Sequence, residues 1–184
     1  MYEVEVKVKI PHSRIKEDLI KKGAIFSGTE EQRDTYFNSS ARDFSKTDEA
    51  LRIRSVNGAG EITYKGKKID TVSKTRPEYN SPVNENEMKK ILTALGFFVS
   101  GAVNKRRETY LLENFMIGLD TVEGLGEFIE VESIIREEAG QKEIQNEINR
   151  VFDFLSKYGI KKEDSITASY LEMVLAANEK ETNK

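Results

Sequence analysis

Cysteine and tryptophan are absent from this chain, histidine occurs once and proline three times in 184 residues. Without thiols there is no disulfide, no thiolate zinc site and no cysteine nucleophile. A lone histidine, His12, argues against a histidine-rich metal centre and against a Ser–His–Asp triad. No apolar run approaches the roughly 20 residues that cross a bilayer. The first residues alternate in polarity instead of forming a signal-peptide core, so a cytoplasmic protein without membrane contact is expected. An excess of one charge is also missing: 29 Lys and Arg stand against 32 Asp and Glu, a net charge of −3. Stable nucleic-acid binding is therefore not expected, because nothing displaces counterions broadly.

What the chain does have is charge of both signs, a third of all residues, beside 38% hydrophobic content. That suffices for one core, so a single domain over residues 1–177 is expected, with 178–184 as a flexible C-terminal tail. The charges are patterned. Glu3, Glu5, Lys7 and Lys9 alternate with Val4, Val6, Val8 and Ile10. A strand repeats every two residues, so one face is all charge and the other all aliphatic.

Further elements follow from turn and cap signals. Pro11 ends the first strand, and Ser13 stands where an N-cap would open a helix to Lys22, closed by Gly23. Short alternation at Gln32–Phe37 reads as a strand, and Ala41–Glu49 as a loop. Asn57-Gly58 signals a hairpin between Leu51–Val56 and Glu61–Lys65. Thr71–Tyr79 reads as a strand near an edge or bulge because of Pro77. A helix over Asn84–Leu95 presents Met88, Ile91, Leu92 and Leu95 on one face. Lys105–Leu112, Phe115–Val122 and Glu127–Ile134 are strands, followed by helices at about Gln141–Tyr158 and Ser165–Ala177. Gly124-Leu125-Gly126 is read as a tight turn, since no helix and no Lys-Ser/Thr follow it.

This order lacks βαβ alternation and internal repeats, and it predicts an α+β fold: an eight-stranded antiparallel β-barrel with flanking helices. The amphipathic helices need aliphatic sheet faces to cover. The barrel is therefore expected inside-out, with charged faces pointing into a tunnel. By strand parity the basic set is Lys7, Arg52, Arg54, Lys65, Lys105 and Arg107, with Lys9 and Arg76 as candidates. The acidic set is Glu3, Glu5, Asp120, Glu130 and Glu132, with Glu78 as a candidate. Guanidinium forks and ammonium groups match polyphosphate oxygens. Carboxylates without His or Cys match a hard cation, Mg²⁺ or Mn²⁺. Solvated outer faces with cross-strand ion pairs would explain scattered Lys and Glu, but less readily the same-face Arg-x-Arg and Lys-x-Arg pairs.

Several segments share one order with a known family. They are Glu3-Val4-Glu5-Val6-Lys7, Leu51-Arg52-Ile53-Arg54, Thr63-Tyr64-Lys65, Arg76-Pro77-Glu78, Lys105-Arg106-Arg107, Leu119-Asp120, Gly124 to Glu132, and Ser169-Tyr170-Leu171-Glu172. In this order they resemble the CYTH family, or triphosphate tunnel metalloenzymes, which includes class IV adenylyl cyclases and thiamine triphosphatases. The likeness runs from Tyr2 to about Leu175. Some bacterial class IV cyclases carry a His-Phe pair before the first Glu. Only Met1 and Tyr2 precede Glu3 here, closer to the shorter CyaB-like proteins.

The resemblance implies a tunnel that binds a small-molecule triphosphate and a catalytic divalent metal. Carried over by position, Glu3, Glu5, Glu130 and Glu132 look like the metal-side carboxylates. Asp120 is either a further ligand or a group that supports the ligands. Lys7, Arg52, Arg54, Lys65, Lys105 and Arg107 look like the triphosphate clamp, with Glu3, Glu5, Lys7 and Glu130 as the catalytic residues. Tyr170 is read as packing beside the tunnel. The leading expectation is ATP cyclisation to cyclic AMP and pyrophosphate. Hydrolysis of inorganic triphosphate, thiamine triphosphate or a nucleotide is the same-class alternative, and a non-catalytic polyphosphate sensor the other. The oligomeric state stays open, a homodimer among its answers.

Overall fold

Alternation along β1 (Tyr2–Lys9) sends Val4, Val6 and Val8 to one side and Glu5 and Lys7 to the other, and both sets are buried. A strand buried on both faces with opposite chemistry is the inside-out pattern: aliphatics lie under helices and charges line a bore. The computed structural model describes residues 2–68, 76–135 and 140–182; the side chains of residues 2, 3, 134, 135, 181 and 182 lie outside that description.

The other strands are β2 (Ile25–Ser39), β3 (Ala50–Val56), β4 (Ala59–Lys65), β5 (Arg76–Val83), β6 (Phe97–Leu112), β7 (Phe115–Val122) and β8 (Gly126–Ile135). All pair antiparallel in a closed barrel of order β1-β5-β4-β3-β2-β6-β7-β8. Among the described residues, closure between β1 and β5 pairs Tyr2 with Pro77 and Glu3 with Arg76. The expected hairpins form where positive φ is tolerated, at Asn57-Gly58 and at Glu113. Gly124-Leu125-Gly126 is a turn between β7 and β8, as expected.

Helices cover the aliphatic exterior. The stripe Ile144, Ile148, Val151, Phe152 and Leu155 of α4 (Gln141–Ser156) packs on Val4, Val6, Val8, Ile117, Leu119, Ile129 and Val131. Each such side chain removed from water contributes about 1.5–3 kcal/mol. α3 (Glu85–Ala94), capped by Asn84, places Leu92 against Phe37, Leu51 and Ile53. α5 (Tyr170–Thr182) lies along β6, where Gly101 makes the approach possible: a Cβ there would sit 2.5 Å from Leu171 Cδ1.

Several boundaries differ from expectation. The helix expected over Ser13–Lys22 splits into a 3-10 turn at His12–Arg14 and α1 (Lys16–Lys21), and no side chain caps it. The loop expected over Ala41–Glu49 holds a single turn, α2 (Phe44–Thr47), capped by Asp43. Residues 71–75 of the strand expected at Thr71–Tyr79 lie outside the described residues, and β5 continues to Val83. α5 begins at Tyr170 instead of Ser165 and continues through 178–182, part of the expected tail. No helix among the described residues is long and apolar enough to cross a membrane.

Candidate functional site

Strand register builds the bore. Glu5 lies opposite Glu132 and Lys7 opposite Glu130 across β1 and β8. Asp34 lies opposite Arg54 across β2 and β3, and Arg107 opposite Asp120 across β6 and β7. The barrel encloses a cavity of about 430 Å³ lined by Glu5, Arg52, Arg54, Lys65, Arg76, Lys105, Arg107, Glu130 and Glu132, among others. A buried space with this lining is costly unless its charges answer one another or a ligand.

One wall is acidic. Glu5, Glu130 and Glu132 are buried and offer carboxylate oxygens that all lie within 4.8 Å of one another. Burial pushes the Glu132 carboxyl above its ordinary value, and Glu5 and Glu130 push it further, against the pull of Arg107. Three converging buried carboxylates are a ready site for a hard divalent cation, and oxygen-only ligands suit Mg²⁺ or Mn²⁺. Glu3 pairs through its backbone with Ile134 and Arg76; its side chain lies outside the described residues.

Asp120 stands apart from that trio, fully buried behind it. It accepts both arms of Arg107 (Nε to Oδ1 and Nη2 to Oδ2, each 2.7 Å), Lys105 Nζ at 2.8 Å and the Tyr170 hydroxyl at 2.9 Å. Burial works to raise its pKa, but the Lys105 and Arg107 charges outweigh that and hold the carboxyl below the usual range. Arg107 also donates to Glu132 at 3.0 Å and to Glu130, so one guanidinium ties Asp120 to the acidic trio. Gly118 leaves space for that arginine, since a Cβ there would lie 2.9 Å from Arg107 Cζ and Nε.

The facing wall is basic. Arg54 grips Asp34 with Nε and Nη2 at 2.7 and 2.8 Å, and Arg52 Nη1 reaches the same carboxylate at 3.3 Å. Arg52 Nε is buried with no hydrogen-bond partner among the described residues. Lys65 pairs with Glu78 and Arg76 is buried in the lining. Burial and the neighbouring Arg107 lower the Lys105 pKa from its ordinary value.

Two predicted residues take other positions. Lys7 is fully buried but turns toward α5: its Nζ donates to the Ala168 carbonyl at 2.5 Å and lies 4.1 Å from the Tyr170 ring centroid. Lys9 is exposed, 5.5 Å from the Phe128 ring. Tyr170 enters the bore from α5 and meets Phe128 edge to face at 5.2 Å. A reciprocal capping box places it there: Ser169 Oγ accepts from Glu172 N at 3.1 Å, and Glu172 Oε2 accepts from Ser169 N at 2.5 Å. Burial drives the Tyr170 hydroxyl's pKa far up, with Glu130 and Asp120 adding to it, so it acts as a neutral donor.

The family described as CYTH domain matches residues 1–170. The chain belongs to the CYTH family. "Putative adenylate cyclase MJ0240" of Methanocaldococcus jannaschii is 41% identical over 175 residues, 94% of this chain and 98% of that protein. The PH1819 protein from Pyrococcus horikoshii OT3 superposes with a TM-score of 0.84 at 39% identity, covering 95% of this chain and 98% of that one. A Hippeastrum structure, "Putative adenylyl cyclase HpAC1", is described as having a dominant triphosphatase activity. It shares the fold at 17% identity and a TM-score of 0.66, covering 95% of this chain and 93% of that one.

Sequence reasoning missed Asp34, Gln32 and Thr63, all buried on tunnel faces of CYTH strands. The alternation Gln32, Asp34, Tyr36 carried the signal. What lay beyond reach was that β2 sets Asp34 against Arg54, a matter of register.

Proposed function

We propose that this CYTH protein is a divalent-metal-dependent enzyme that acts on a triphosphate inside the barrel, with ATP cyclisation to cyclic AMP and pyrophosphate as its reaction. One observation carries the reading. A buried carboxylate trio shares one cavity with half-buried Arg54 and buried Arg52, Lys105 and Arg107, the last of which is paired directly with Glu130 and Glu132.

The cationic wall binds the phosphate chain and offsets the charge that spreads over its oxygens as a P–O bond breaks. Arg52 contributes an unpaired Nε donor that needs an anionic acceptor. Arg107, Lys105 and Tyr170 hold Asp120 ionised, which in turn fixes the direction of the arginine. A Mg²⁺ or Mn²⁺ ion held by Glu5, Glu130 and Glu132, with Glu3 and Asp120 as further candidates, would supply positive charge against the phosphate oxygens and the attacking oxygen. In cyclisation the ribose 3′-hydroxyl attacks the α-phosphorus and pyrophosphate leaves.

Hydrolysis at the γ-phosphorus by water is the second reading. It draws support from the lining, where the aliphatic Ala50 and Met116 and the rings of Tyr36 and Tyr170 are the apolar surface beside many charged groups, a small platform for a purine. Incubating the protein with ATP, inorganic triphosphate and thiamine triphosphate in Mg²⁺ or Mn²⁺ separates the readings. Cyclic AMP with pyrophosphate supports the cyclase, and orthophosphate the hydrolase. Tight binding without turnover would make the protein a sensor and overturn the enzyme reading.

A further inference from the structure

Gln32 is the second buried side chain with an unpartnered atom in this bore, and its need is opposite to that of Arg52. It lies on β2 beside Lys105 of β6, is 5% exposed and lines the cavity. Its Nε2 donates to Glu30 Oε2 at 2.7 Å. A carboxylate only accepts, so that bond fixes the amide's orientation and turns the carbonyl oxygen away from Glu30. Gln32 Oε1 then has no hydrogen-bond partner among the described residues.

The nearby cations are directed elsewhere. Lys105 Nζ bonds to Asp120, and Arg54 grips Asp34. A buried carbonyl without a donor costs more than a formed bond returns, so the site favours a ligand that brings the donor. An ionised triphosphate chain cannot: its oxygens accept, and they repel a carbonyl. Arg52 Nε asks for an acceptor and Gln32 Oε1 for a donor. A substrate that satisfies both carries phosphate oxygens and a hydroxyl.

The geometry points to Gln32 as a specificity-determining residue that accepts a hydrogen bond from a substrate hydroxyl, selecting a sugar-bearing triphosphate ester over inorganic triphosphate. This rests on the reading of the bore as a triphosphate site, and it names which wall reads the rest of the molecule. Glu30 is the positioning residue, holding the amide so that its oxygen faces the substrate.

Equilibrium binding tests it, with Ca²⁺ as supporting cation, for ATP, 2′-deoxyATP, 3′-deoxyATP and inorganic triphosphate. Gln32→Met keeps the length of the side chain and removes the acceptor. The ratio of the ATP Kd to the inorganic triphosphate Kd should rise roughly 5–10-fold, the size of one neutral hydrogen bond. One of the two deoxynucleotides should bind the wild-type protein more weakly than ATP and show no further loss in the variant. Gln32→Glu retains an acceptor while adding a charge that repels phosphate, so it should weaken inorganic triphosphate at least as much as ATP. Equal loss for ATP and inorganic triphosphate in Gln32→Met, with both deoxynucleotides matching ATP, would overturn the assignment and leave Gln32 holding only solvent or the strand. Failure of the wild-type protein to bind any of the four ligands would instead reject the triphosphate site itself.

Discussion

An alanine at position 118 would bring its Cβ to 2.9 Å from the Arg107 guanidinium, which bridges Asp120, Glu130 and Glu132. The aliphatic core is untouched by that change, so Gly118→Ala should still fold, but shifting a guanidinium that holds three buried carboxylates should lower its thermal unfolding by several degrees. Its turnover should fall roughly 10²-fold, the scale for displacing one preorganised charge-stabilising group. Full activity would show that Arg107 need not lie where it does. Glu5→Gln removes one carboxylate from the trio and should abolish metal-dependent turnover with circular dichroism unchanged. An unaltered rate would remove Glu5 from the mechanism. At this scale much was legible. Arg52, Arg54, Lys105, Arg107, Glu5, Glu130 and Glu132 each fall where parity put them, because side-chain direction in a strand is fixed by a period of two. Lys7 shows what parity leaves out. It points inward as expected, yet the carbonyl that captures it belongs to Ala168, 161 residues away.

β2 was seen in part. Alternation is visible from Gln32 to Phe37, but the strand begins at Ile25 and ends at Ser39. A register irregularity between Phe26 and Gly28 and another between Tyr36 and Phe37 break the period, and pairing with β6 holds the strand together past both. A partner's hydrogen bonds, not the local pattern, set those limits. The same strand delivers Asp34 to Arg52 and Arg54 of β3. Burial would raise the Asp34 pKa, but the two arginines outweigh it and hold the carboxyl well below its ordinary value. A depressed folded-state pKa gives stability that is full above the unfolded value, about 3.9, and declines as pH falls toward the folded one. Asp34→Asn should therefore cost roughly 3 kcal/mol at pH 7, as for breaking a buried ion pair. The gap between variant and wild type should narrow steadily below about pH 4. Urea unfolding at pH 7, 4 and 2.5 measures it, and a gap that stays constant would mean the pair is not ionic.

The whole barrel follows from an inversion: helices take the aliphatic faces, so charge is left inside. That much was legible because α3 and α4 each carry an apolar stripe that must be covered. The closed barrel was legible as well; which strands close it was not, since β1 meets β5 through two residue pairs among the described residues. Carboxylates gathered on one wall repel one another, so a divalent ion bound there should stabilise the fold. Mg²⁺ or Mn²⁺ at 100 times its Kd should add about 2.7 kcal/mol to unfolding, and EDTA should remove the gain. Calorimetric scans in which neither ion moves the transition would argue against the acidic trio as a metal site. The most direct test of the central claim is a crystal structure with inorganic triphosphate and Mn²⁺, with the metal located by its anomalous signal. The account predicts Mn²⁺ on Glu5, Glu130 and Glu132 and phosphate oxygens on Arg52, Arg54, Lys105 and Arg107, all within the bore. Triphosphate bound on the barrel's exterior, with the inward charges still paired only to one another, would contradict it.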